Sequence, residues 1–291
     1  MQHWFNYPTN VDPVAIHLGP LNVHWYGIAY LLGFVSVYLW MSRPEGRRRL
    51  GLTREQIQDF LFYALIGVLV GGRTFFVIND IISVGPKDPS HSLAGYLAHP
   101  LNFIAVWQGG MAFHGGMVGV LVAIWLFVRK HPGLKYTVLG DEIVPLLPIG
   151  ITLTRIVNFI NDELWGDICN PDRPWCMLPN RPGDAQTWGL QYRHPAQLYE
   201  AVLDILTLPI VLYVYKRRPP DGVVGWTWFT IYGITRSIAE MWRYADFHLG
   251  PITGGQLYAL PMVPIGIFAI VYCTRRGRRT DVTESAAPAK A

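Results

Sequence analysis

Arg155, Asn158 and Glu163 stand in the run RIVNFINDELWG, which follows directly on apolar GITLT. An arginine keeps its charge in a protein, so one placed inside an apolar helix costs several kcal/mol unless it faces a cavity, a polar partner or an anion. Arg155 and Asn158 are three apart and share a helical face, and neither can be neutralised by losing a proton. A guanidinium fork beside an amide is suited to gripping an oxyanion such as phosphate.

Other polar residues sit in similarly apolar surroundings. Arg236, Glu240 and Arg243 are spaced i, i+4, i+7 on one face, as for a structural ion pair or for a ligand clamp. Arg73 follows GVLVGG and either snorkels to an interface or turns inward. His114 lies in WQGGMAFHGGMVG, among Gly109, Gly110, Gly115, Gly116 and Gly119. Glycines at this spacing let helices approach closely, and they also let a ligand reach backbone N–H groups.

The elements that position these residues belong in a bilayer. Of 291 residues, 51% are hydrophobic and only 15% charged, against about a quarter charged in a soluble domain. Apolar runs at 21–41, 57–78, 112–128, 138–160, 197–215, 223–240 and 256–273 each approach the ~20 residues that cross ~30 Å of hydrocarbon. The expectation is an all-α integral membrane protein with about seven transmembrane helices. Sixteen Lys and Arg fall in loops of one side and five in loops of the other, with Arg73, Arg155 and Arg236 inside spans. Positive loops mark the cytoplasmic side, so the N-terminus lies outside and the C-terminus inside. The formal charge of +4 records those loops rather than a nucleic-acid partner. Residues 1–280 read as one polytopic domain with a small outer cap from 161–196, and 281–291 as a disordered tail. No removable signal peptide is evident at the N-terminus. Cys169 and Cys176 in the cap form either a disulfide or two thiols, and Cys273 is a small buried apolar residue.

Depth then gathers the polar set. At 1.5 Å per residue, Arg73, Arg155 and Arg236 lie roughly 20–25 Å along outward-running spans. His114, Glu200 and Tyr26 fall near the same level, at the outer-leaflet interface.

The chain resembles the bacterial prolipoprotein diacylglyceryl transferases along nearly its whole length. The resemblance is carried by HWYGIAYLLGF at 24–34, GGR at 71–73, GGMAFHGGMVG at 109–119, RIVNFINDELWG at 155–166, RHPAQLYE at 193–200, YGITRSIAEMWR at 232–243 and GGQLYALPM at 254–262. Two departures add bulk beside the signature: Thr154 where the family usually has Gly, and Val157 where it has Gly or Ala. The resemblance implies transfer of a diacylglyceryl group from phosphatidylglycerol to the lipobox cysteine thiol of a preprolipoprotein in the bacterial inner membrane, with release of glycerol 1-phosphate. Arg155, Arg236 and Asn158 would clamp the phosphate. His114, or else His194, would take the thiol proton, since an imidazole with reference pKa ~6.5 suits a thiol near ~8.5. Tyr26, Glu163, Tyr232 and Glu240 would orient the headgroup or the arginines, with Gly115, Gly116 and Arg73 beside the lipid. No metal or organic cofactor is expected. The competing class is a polytopic transporter or receptor for an anionic lipid-like ligand, which would place its charges nearer the midplane and show repeated halves.

Overall fold

The computed structural model describes Tyr7 and residues 12–19, 21–106, 110–179, 189–245 and 248–277. An antiparallel ribbon of β1 (Val14–Leu18) and β2 (Leu21–His24) leads directly into helix α1 (Trp25–Met41). Helices α2 (Pro44–Leu50), α3 (Arg54–Ser83), α4 (Leu93–Ala98), α5 (Phe113–Lys130), α6 (Tyr136–Ile143), α7 (Leu147–Ile160), α8 (Ala196–Lys216) and α9 (Val223–Ala239) follow. A second ribbon, β3 (His248–Leu249) and β4 (Ile252–Thr253), precedes α10 (Gly254–Ala259) and α11 (Met262–Arg276).

The helical reading of the apolar runs holds, with three local differences. Residues 21–24 pair as a strand, so the first helix starts at Trp25. The 138–160 run is broken: α6 and α7 meet at 52°, because Pro145 and Pro148 have no N–H for the helical ladder. The two ribbons were not anticipated in an all-α chain. Helix starts follow local chemistry. Thr53 accepts the Gln56 N–H at 3.2 Å while Gln56 Oε1 accepts the Thr53 N–H at 2.9 Å, a reciprocal cap that Thr253 and Gln256 repeat at α10.

Three stretches, Arg54–Ser83, Ala196–Lys216 and Gly254–Arg276, are long and apolar enough to cross a membrane, and two pairs of shorter helices raise the number to five if each pair is one span. Leu31, Leu39, Phe62, Val70 and Phe268 point outward. An apolar exterior is the arrangement for a hydrocarbon solvent, where in water it would mark an interaction face.

The chain forms two compact units. The first takes the segment up to Arg43 and everything from Thr137 onward; in it α7 packs on α1 and α8, and α9 on α8 and α11. Val144, Val211, Tyr215 and Val224 form one core and Tyr7, Trp165 and Met177 a smaller one. The described part of the 161–196 segment is tied down by bridges from Gly166 to Arg243 and from Ile168 and Met177 to Arg193. A disulfide joins Cys169 to Cys176, both buried. The tail after residue 277 lies outside the described residues.

The second unit, Pro44–Tyr136, is organised by α3 against α5. Gly67 and Gly71 meet Gly119 and Gly115 backbone to backbone, and a Cβ on any of the four would collide with a facing carbonyl oxygen. The small-xxx-small spacing of Gly115 and Gly119 is thus a helix-packing seam.

Candidate active site

Three helices of the first unit each deliver a charged side chain to one place. Glu200, in the second turn of α8 and 4% exposed, is ion-paired to Arg155 of α7 through Nε at 2.7 Å. It also pairs with Arg236 of α9 at 2.7 Å and with Arg243, beyond the end of α9, at 2.8 Å. Buried Glu240 accepts from Arg236 Nη2 at 2.5 Å and from Thr253 Oγ1 at 3.0 Å, and lies 3.6 Å from Arg243 Nε. Gly255 gives this carboxylate its room, since a Cβ there would strike it. Three guanidinium groups therefore share two carboxylates. Arg155 Nε, although 2.7 Å from Glu200, makes no hydrogen bond, and neither do Arg155 Nη2 and Arg243 Nη2 among the described residues. Buried ion pairs hold only when their remaining hydrogen-bonding groups are satisfied, so unused donors here are groups that a further anion would satisfy.

A second network continues from Arg155. Its Nη1 donates to Asn158 Oδ1 at 3.2 Å, and Asn158 Nδ2 donates to the Tyr26 hydroxyl at 2.5 Å and to Glu163 Oε2 at 3.2 Å. Tyr26 donates to the same Glu163 oxygen at 2.5 Å. Glu163 is presented by a forced turn: Asp162 and Leu164 on either side have φ of 64° and 61°, a left-handed conformation that non-glycine residues rarely adopt. Trp165 Nε1 on Asp162 Oδ1 at 2.6 Å and Gln197 Nε2 on the Glu163 carbonyl at 2.5 Å hold that turn in place. The bulk at Thr154 and Val157 is accommodated: Thr154 Oγ1 donates back to the Gly150 carbonyl at 2.9 Å and Val157 is buried.

Tyr232 lies one turn before Arg236 on α9 and stacks on Trp228 at 5.2 Å. His194 enters from the cap, with Nδ1 3.1 Å from the Tyr199 hydroxyl and 3.6 Å from Cys169 Sγ. Burial, reinforced by the nearby Arg173 cation, pushes its pKa below the ordinary histidine value.

The remaining sequence candidates belong to the second unit. Arg73 is buried, with its guanidinium donating to the carbonyls of Asn102, Phe103 and Gly110 at 2.5, 3.3 and 3.1 Å, so it secures the loop before α5 rather than snorkelling. His114 is exposed in the first turn of α5. Gly115 packs against Gly71 and Phe75, whereas a Cβ at Gly116 would meet Val68 only at ordinary contact distance; Gly109 lies outside the described residues. Among the described residues no three His, Cys, Asp or Glu side chains come together as metal ligands.

The sequence placed Glu200 near Arg155 and Arg236 without assigning it a partner, and the reach of Arg243 was missed. The signal for both was present: an acidic residue on an apolar helix needs cations, and Arg243 continues the face of Arg236 and Glu240.

These features define a helical membrane protein whose arginines converge on buried carboxylates with donors to spare. The chain belongs to the prolipoprotein diacylglyceryl transferase family, whose profile matches residues 13–272. It is similar to proteins named phosphatidylglycerol–prolipoprotein diacylglyceryl transferase. The one from Geobacter sulfurreducens is 40% identical over 272 residues, covering 92% of this chain and 97% of that protein. Those of Pseudomonas paraeruginosa and Legionella pneumophila are each 39% identical, covering 93% and 90% of this chain and 96% of each relative.

Proposed function

We propose that the chain transfers the diacylglyceryl group of phosphatidylglycerol to the lipobox cysteine thiol of preprolipoproteins, forming a thioether and releasing glycerol 1-phosphate. The observation that carries this, beside family membership, is the sharing of Glu200 by Arg155, Arg236 and Arg243. As sulfur attacks the glycerol carbon and the carbon–oxygen bond breaks, negative charge grows on the departing phosphate. Cations already locked in place by carboxylates stabilise that charge without having to reorganise. Arg155, Arg236 and Asn158 hold the phosphate, while Glu163 and Tyr26 fix the orientation of Asn158, and Glu240 that of Arg236. The thiol proton passes to a histidine, His114 first and His194 second.

The same reading takes the chain as one polytopic domain of seven spans in the inner membrane, N-terminus outside and site facing the outer leaflet. The sixteen-to-five charge asymmetry supports the orientation. Purified protein, labelled phosphatidylglycerol and a lipobox peptide test the activity: label should appear on the peptide cysteine, and its absence there would refute the transfer. A periplasm-dependent reporter should be active within 170–190 and silent after Ala291; the reverse pattern would overturn the orientation.

A further inference from the structure

Two amide oxygens beside Glu163 are buried without a donor among the described residues: Asn161 Oδ1, at the end of α7, and Gln197 Oε1, in the first turn of α8. Gln197 is 1% exposed. What the amide nitrogens meet fixes which way both groups face. Gln197 Nε2 donates to the Glu163 carbonyl at 2.5 Å, and Asn161 Nδ2 donates to Glu163 Oε1 at 3.4 Å. A carbonyl or an ionised carboxylate only accepts, so turning either amide over would set oxygen against oxygen. Both oxygens are therefore acceptors with nothing to accept, held next to one residue. Leaving a buried acceptor unpaired costs free energy, and two of them at one turn suit a ligand that donates.

Resting on the function proposed above, we infer that Asn161 and Gln197 are specificity-determining residues whose amide oxygens accept hydrogen bonds from the two glycerol hydroxyls of the lipid headgroup. Asn161 follows Asn158 by three residues on outward-running α7, and Gln197 precedes Glu200 by three on inward-running α8. On the proposed orientation each lies about 4.5 Å outward of the phosphate clamp, the direction in which the headgroup of an outer-leaflet lipid extends past its phosphate. Asn161 is partly exposed, so a headgroup reaches the pair from its side. The phosphate only accepts, and it meets the donors of Arg155, Arg236 and Asn158. The headgroup hydroxyls donate, and they meet acceptors. The acyl esters, on the bilayer side of the phosphate, carry no donor. The forced turn through Asp162 and Leu164 gains a role in this arrangement: through Glu163 it holds both amides by their nitrogens and leaves their oxygens for the lipid. A site built to bond a hydroxyl discriminates against an analogue lacking it, because its own polar groups are then left unpaired.

Wild type, Asn161→Ala and Gln197→Met are compared for transfer to a lipobox peptide from phosphatidylglycerol and from phosphatidylpropanol, which keeps the phosphodiester and the three headgroup carbons and lacks both hydroxyls. Wild type should prefer phosphatidylglycerol, and the ratio of the two rates should fall by about 2- to 10-fold in each variant, the range for losing one neutral hydrogen bond. An unchanged ratio, whether both rates fall together or neither does, overturns the inference, since loosening the Glu163 turn acts equally on both lipids. Competition of the two lipids for the purified protein, read by native mass spectrometry, gives the same ratio without turnover. Equal binding of the two by wild type overturns the inference without recourse to any variant. Failure of the wild type to transfer from either lipid would instead refute the proposed activity, and the competition would still decide the role of the two amides.

Discussion

Arg155→Lys separates charge from geometry. Arginine offers five N–H donors in a rigid fork. Here Nε is committed to Glu200 at 2.7 Å and Nη1 to Asn158 at 3.2 Å, leaving Nη2 for a phosphate. A lysine ammonium is a single point on a flexible stem and cannot hold Glu200, Asn158 and a phosphate in those three directions at once. The charge-assisted hydrogen bond to Asn158 and the one expected to the phosphate are lost, at about 1.5–3 kcal/mol each. The sum, about 3–6 kcal/mol, corresponds to roughly 10²- to 10⁴-fold in kcat/KM at 1.36 kcal/mol per decade. The assay is transfer of labelled diacylglyceryl to a lipobox peptide, with exposed Arg173→Ala as a control that retains much of its activity. Arg155→Lys within about threefold of wild type would refute the reasoning, and would mean that Arg155 only balances the charge of Glu200.

Glu200→Gln leaves Arg155 without its carboxylate and Arg236 and Arg243 to Glu240 alone; breaking a buried pair costs about 3–5 kcal/mol, so a marked drop in melting temperature in detergent should accompany loss of transfer, and an unchanged melt would show that the arginines are anchored elsewhere. His114→Gln should slow transfer by roughly 10²-fold or more if His114 takes the thiol proton, with partial rescue as pH approaches the thiol value of ~8.5; a pH-independent loss would shift that role to His194. Two histidines should give pH effects of opposite sign on stability. The hydrogen bond that His91 donates to the Asp80 carboxylate raises the His91 pKa, so its contribution is present below the unfolded value of ~6.5 and is lost as pH rises through the folded one. The His91→Gln deficit in melting temperature should then be largest in acid and fade toward pH ~8. Burial lowers the His194 pKa, so its contribution is present above ~6.5 and is lost on acidification; the His194→Gln deficit should be largest near neutrality and shrink in acid. A deficit that changes with pH in the same direction in both variants would contradict these assignments.

Much of the site was legible because helical spacing converts directly into contact. Arg155 and Asn158 at i, i+3 are hydrogen-bonded, and Arg236 and Glu240 at i, i+4 are ion-paired. What spacing within one helix does not convey is which residue of another helix completes the set. Glu200, the hub, is joined to Arg155 and Arg236 across 45 and 36 positions of the chain. The strands were hidden by their shortness: VAIHL and LNVH around Gly19-Pro20 sit against a long apolar run that masks their alternation. The turn at Glu163 depends on left-handed backbone at an aspartate and a leucine, and nothing in the composition of NDELWG requires it. Bulk at Thr154 and Val157 was the reverse case, a sequence-level concern that a back-bonded hydroxyl and a well-packed valine dispose of.

The charge cluster also bears on how such a chain is made. Arg155, Glu200 and Arg236 arrive on three successive helices, α7, α8 and α9, and each ionised side chain alone adds to the cost of inserting its helix. During synthesis α8 emerges with two acidic residues before the arginine of α9 exists, so Arg155 is the first cation within its reach. The ion pairs that later organise the site thus serve during biogenesis as helix-to-helix retention contacts. A chain that stops short of α9 leaves Glu200 without Arg236 and Arg243, its charge met by Arg155 alone.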